Sequence, residues 1–176
     1  GEANNSISSW SVRLAASSVL ADTSHSRGVA AMKWITRKNI RVNRTATCWL
    51  IRRFLDPEAE FIFVSPEEVA SIQNEGGGVG FDASGARYPH QDAQGLCSFA
   101  ALVHERLADD PVLAEMARIV QAADIQGQLD NHPAARGLQL ISGGFPLVTS
   151  NDHETVARAA FVYDALYASI KTNSAR

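Results

Sequence analysis

The stretch TATCWLIRRFLDPEAEFIFV, residues 45–64, sets a helical period and a strand back to back, with one proline-bearing turn between them. Asn43 is placed to cap a helix over 44–56, and Pro57 helps to end it. AEFIFVS is apolar on both faces, which suits a strand covered on both sides and so central in its sheet. The rest of the chain reads in the same mixed way. MKWITR is a strand, SPEEVASIQNEGGG a helix with Pro66 in its first turn, and VGFD and ARYPH pair as a hairpin across ASG. SFAALVHERLADD and DPVLAEMARIVQAAD are helices, the second with a stripe at Leu113, Met116, Ala117 and Val120. HPAARGLQLI is a weaker helix, and SNDHETVARAAFVYDALYASIK closes the chain as a long one. The expected class is α+β: a small β-sheet packed by several α-helices, with a helix-rich C-terminal half.

Residues 1–31 are rich in Ser, Ala and Asn and are expected to be an extension, with one loose helix around Trp10 to Leu20. VRLAASSVLA is too weakly apolar for a signal peptide and lacks a basic flank. The domain proper is expected over 32–176. Its net charge of −3 weighs against a nucleic-acid binder, and no apolar run reaches the length of a membrane span. Cys48 and Cys97 stand far apart with no CxxC pattern, which points to a reducing, cytoplasmic compartment rather than a disulfide scaffold.

Several ionisable residues fall on apolar faces. On a wheel of about 100° per residue, Arg52 lies on the polar edge with Thr45, but Arg53 falls between Ala46 and Trp49. A guanidinium there cannot shed its proton, so it needs an anion: Glu60, Asp56, Asp124 or a ligand. Asp124 continues the stripe of Ala117 and Val120. His153 shares a helix face with Val156, Ala157 and Ala160, and Asp164 lies on that face further on. His90 shares a strand face with Tyr88, and Glu60 opens its strand on the face of Ile62 and Val64. Each has a plain structural alternative. Asn151 or Asp152 is placed to cap the last helix with Glu154 completing a capping box, and Arg53 with Glu60 or Asp56 makes an ordinary ion pair. Taken together they favour a site, because burying several ionisable groups without purpose is unfavourable.

His90, Asp124 and His153 form an expected ligand set for a divalent metal: Zn, Mn or Fe. There is no HExxH, no phosphate-binding glycine spacing and no GxSxG elbow. Cys97 precedes a helix, where the dipole favours thiolate, so it is a candidate redox residue, against the plainer reading of a small residue at a helix start.

The segments KWITR, VNRTATCWLIRRFLDPEAEFIFV, YPHQDAQGLCSF, IVQAADIQG and VYDALYA resemble the chromate-resistance domain, the C-terminal part of the chromate-resistance protein B family. The resemblance runs from about Met32 to Ile170 and is most specific in WLIRRFLDPEAEF. It implies a helix-rich α+β domain linked to chromate tolerance, and it draws attention to Arg44, Arg52, Arg53, Asp56 and Glu60. One departure is Asn43, where the family pattern commonly has Asp. The function expected is a module in sensing or detoxification that binds a divalent metal and a small oxyanion such as chromate, with Arg44, Arg52 and Arg53 as anion contacts. The alternative is a metal-dependent enzyme, a hydrolase or oxidoreductase, with Glu60 or Asp124 as base. No nucleic acid or membrane partner is expected, and a homo-oligomer is left open.

Overall fold

The computed structural model describes residues 31–174, so the expectations for the N-terminal extension lie outside the described residues. β1 (Lys33–Arg37) leads to α1 (Val42–Leu50), which runs on as one π-helical stretch, Ile51–Leu55. β2 (Glu60–Val64), α2 (Glu68–Asn74) and the short β3 (Val79–Gly80) follow. Then come α3 (Ser98–Arg106), α4 (Pro111–Asp124), α5 (Ala135–Val148) and α6 (Asp152–Ser174). This is the small sheet and helix-rich second half of an α+β domain. Among the described residues no helix is long and apolar enough to cross a membrane.

The three strands are parallel in the order β2-β1-β3. β1 is therefore the central strand, and the apolar β2 is an edge. Phe61 packs inward, Phe63 lies against the ring of His153, and Ile62 and Val64 flank the smaller core, so cover by side chains rather than by a neighbouring strand accounts for its apolar character. Side chains alternate across the sheet. Trp34, Phe61 and Phe81 join α1, α3, α4, α5 and α6 in the main core. Ile35 faces the other way, onto Val69 of α2 with Ala83 and Ala86. α1 and α2 thus cover opposite faces, as right-handed crossovers running first from β1 out to β2 and then from β2 back across β1 to β3 require.

The expected hairpin of VGFD with ARYPH does not form. Phe81 and Tyr88 make a single parallel bridge, and β3 directs its strand hydrogen bonds to β1. Gly78, at φ +145°, has its Cβ position only 2.4 Å from the Lys33 carbonyl oxygen, so only glycine lets the chain enter β3 here. The expected cap of α1 also differs. Arg41 precedes the helix, and Asn43 is its second residue, with its side chain turned into the core.

Candidate functional site

A parallel sheet whose successive connections run in opposite directions, on opposite faces, opens a crevice at the carboxyl ends of its strands. Here that crevice lies between β1 and β3, and it holds a dense ionic cluster. Asp82 follows β3 at φ +51°, a conformation that Asp tolerates better than most residues. Its carboxylate is 3% exposed. Arg37, the last residue of β1, reaches it through Nη2 at 2.9 Å and donates Nε to its carbonyl at 2.6 Å. Arg44 in the first turn of α1 brings Nε to 3.2 Å, and Asn43 Nδ2 donates to Oδ1 at 3.0 Å. His90 Nδ1 stands 2.7 Å from the same Oδ1. Burial alone would raise the Asp82 carboxyl, but the His90, Arg37 and Arg44 contacts outweigh it and hold the group below the usual carboxylate range.

Asp124 closes the cluster from the last residue of α4. Its Oδ2 is buried, accepts no hydrogen bond, and lies 3.6 Å from His90 Nδ1. Burial first, and the charge of Asp82 second, push its carboxyl up to about 6, although His90, the backbone N–H of Asn43 and Arg44 pull the other way. The His90 imidazole is held above its ordinary value, chiefly by the hydrogen bond to Asp82 against the effect of burial. One ligand-type atom from each of Asp82, His90 and Asp124 lies within 4.8 Å of the other two. Two carboxylates and a half-exposed imidazole thus converge, with the imidazole facing solvent.

The surrounding residues fix this geometry. Asn43 is fully engaged: Oδ1 accepts from Phe99 N–H at 3.1 Å and Thr47 Oγ1 at 3.3 Å, while Nδ2 donates to Ser98 Oγ at 2.8 Å as well as to Asp82. It satisfies a free amide in the first turn of α3 from another helix. Arg44 is steadied by the carbonyls of Arg37, Lys38 and Asn39, which supply no charge, and burial lowers its pKa.

Of the residues singled out from sequence, the structure brings together His90, Asp124 and Arg44. His153 does not join them. Asp152 accepts the amides of Asn39 and Ile40 at 2.8 and 2.9 Å, which pins the start of α6. His153 then lies exposed with its ring 4.9 Å from that of Phe63. The capping box forms in part: Asn151 Oδ1 accepts Glu154 N–H, whereas Glu154 takes the amide of Ser150. Glu60, Arg52 and His153 line a separate open cleft of about 590 Å³ at the edge of β2. Arg52 lies over the Phe61 ring at 4.8 Å and donates to the Ala59 carbonyl.

Arg53 corrects the wheel. Its side chain is 64% exposed and meets Asp164 at 3.6 Å, not Glu60, Asp56 or Asp124. From Ile51 the helix bonds i to i+5, as in the 2.7 Å contact of the Asp56 amide with the Ile51 carbonyl. Each residue then turns through less than an α-helical step. Phe54, five residues after Trp49, arrives beneath it at 5.5 Å in place of Arg53. Asp164 is likewise exposed and accepts Trp49 Nε1 at 2.9 Å. Cys97 sits at the start of α3, but burial pushes its thiol up to about 12, beyond what the nearby amides offset, so a thiolate is not favoured. Asp82 and Arg37 are not among the candidates that the sequence suggests. Asp82 carries the signature of a turn residue in VGFDASG, and Arg37 reads as the polar end of a strand.

A family model described as "ChrB, C-terminal domain" matches residues 34–170. Protein ChrB of Cupriavidus metallidurans is 31% identical over 138 residues, covering 77% of this chain. The chain spans 40% of the length of that relative. No solved structure matches.

Proposed function

The chain belongs to the ChrB C-terminal domain family, and from that premise we propose that it serves chromate resistance by holding a divalent metal on Asp82, His90 and Asp124 and presenting that metal to a small oxyanion. The observation that carries the reading is Asp124 Oδ2, a buried carboxylate oxygen with no donor, aimed at an imidazole and a second carboxylate. Such an oxygen is unfavourable unless a proton or a cation meets it. Neighbouring ligand atoms on an ion bonded at about 2.1 Å lie roughly 3.0–3.4 Å apart. The spacings of 2.7 and 3.6 Å around His90 Nδ1 bracket that range, so small shifts of the half-exposed ring complete the set.

The charge balance favours an anion as the further ligand. Asp82 and Asp124 are offset by Arg37 and Arg44, so a bound divalent ion leaves the pocket cationic. A nitrogen and two oxygens suit Zn, Mn or Fe, and three protein donors leave coordination positions for an oxyanion. Of the three arginines expected to contact it, Arg44 stands at the cluster, and Arg52 and Arg53 lie elsewhere. The same open positions support the second reading, a metal-dependent enzyme. In it Asp124 rather than the remote Glu60 is the carboxylate near the metal.

Calorimetric titration of chelator-treated protein with Zn and Mn tests the reading. One ion per chain is expected, with affinity reduced at least tenfold in His90→Ala and Asp124→Asn and unchanged in His153→Ala. Chromate or sulfate is expected to bind the loaded protein and not the metal-free one. A stoichiometry near zero, or an affinity untouched by Asp124→Asn, would remove the metal from the function.

A further inference from the structure

α5 turns Ala135, Leu138, Ser142 and Phe145 into the core. Its opposite face is uncovered among the described residues and largely apolar, with Leu140 80% exposed, Leu147 83%, Val148 63% and Ile141 51%, and with Arg136, paired to the exposed Asp130, at its start. Three glycines share this helix, and a Cβ built on Gly137, Gly143 or Gly144 meets nothing within 4 Å. Glycine weakens a helix interior relative to alanine. Neither backbone conformation nor packing inside the chain asks for it at these positions.

Gly137, Leu140, Gly144 and Leu147 recur at spacings of 3, 4 and 3, the seam of a helix that packs against another helix. The order of large and small residues is self-complementary. If a second α5 lies antiparallel with its dyad at the level of Ser142, Leu140 meets the partner's Gly144 and Leu147 meets the partner's Gly137. Each bulky side chain faces a gap, and each pair is repeated by the two-fold axis, as an isologous interface requires. α6 extends the patch: Arg158 donates to the Val148 carbonyl at 2.7 Å, and Phe161, one turn further along α6, is 77% exposed. Five such side chains at roughly 100 Å² of apolar area each, largely exposed, offer on the order of 700 Å² from two copies. That is about the non-polar share of the smallest stable interfaces, near 1,200 Å² in total.

We propose that α5 is a homodimer interface in which two copies of this chain pack antiparallel about Ser142, leucine into glycine. This surface is separate from the Asp82 cluster and does not depend on metal.

Sedimentation of the full chain over a range of concentrations is expected to show a monomer of 19.0 kDa in equilibrium with its dimer. Leu147→Glu and Gly144→Leu should each weaken association by roughly a hundredfold, one by burying a charge and the other by filling the gap. Both positions point to solvent in the monomer, so circular dichroism should show each variant folded. The register is tested by disulfide capture. Leu147→Cys mixed with Gly137→Cys should cross-link on oxidation, whereas Leu147→Cys alone, its two copies about 15 Å apart along the helix axis, should not. A chain that remains monomeric at hundreds of micromolar would overturn the proposal. So would a dimer unaffected by both substitutions. A monomeric Leu140→Cys variant whose new thiol is shielded from thiol reagents would overturn it too, because another part of the same chain would then cover the face.

Discussion

At Arg53 a guanidinium 64% exposed meets a carboxylate 52% exposed, whereas Asp82 lies 3% exposed beneath two guanidiniums, an imidazole and an amide. Solvent screens the first pair and hardly reaches the second. Arg53→Ala is therefore expected to change unfolding free energy in urea by under about 1 kcal/mol. Asp82→Asn should lose about 3 kcal/mol or more, because Arg37 and Arg44 then confront each other without their shared anion. Equal effects at the two positions would contradict this division. Before the fold is known, the two residues carry the opposite labels. Arg53 falls on an apolar face by counting α-helical steps, and Asp82 sits among turn residues. Neither label registers the π-helical step after Leu50 or the parallel strand that carries Arg37 to Asp82.

The helices and strands fall largely where periodicity places them, because a helical stripe or an apolar run is a property of adjacent residues. Boundaries and partners differ more. α5 runs to Val148, beyond the weak pattern of HPAARGLQLI, because Leu138, Ser142 and Phe145 find cover from α4 and α6. Asn43 looks like the cap of its own helix and instead serves α3, whose Phe99 amide it accepts, while it donates to Asp82. Asn43→Ala is expected to destabilise the fold by about 2–3 kcal/mol, combining a lost cap with buried groups left unpaired. Asn43→Asp installs the residue that the family resemblance leads one to expect at this position. It keeps the acceptor for Phe99 but sets a third carboxylate against Asp82 and Asp124. The metal-free protein should then melt earlier, and the metal-bound protein should regain most of the loss. Equal melting shifts with and without metal would detach Asn43 from the cluster's charge balance.

For the molecule as a whole, the cluster ties stability to pH. Asp124 is raised from 3.8 to about 6 in the fold, so the folded state holds a proton that the unfolded chain has already released. The stability this represents is present below about pH 4 and is lost as pH rises through about 6. His90 is raised as well, so its contribution is present below its ordinary value and falls away as pH rises through its folded one. Metal-free wild type should therefore lose about 2 kcal/mol relative to Asp124→Asn between pH 4 and pH 6, read from urea unfolding at a series of pH values. Metal affinity should climb across the same interval and beyond it, since Asp124 and then His90 must release protons to bind. A flat difference between wild type and variant would place Asp124 in solvent. The inward aim of Asp124 is already visible in the stripe of α4, and the mixed α+β character in the helix and strand of residues 45–64, because both rest on local spacing. Which side chains meet was decided only by the tertiary structure. Arg37 and Asp82 are 45 residues apart, and the order β2-β1-β3 makes them neighbours at the carboxyl ends of parallel strands. Charge and hydrogen bonding act through space, so Asp82 becomes the partner of His90 and of two arginines only when the sheet is assembled.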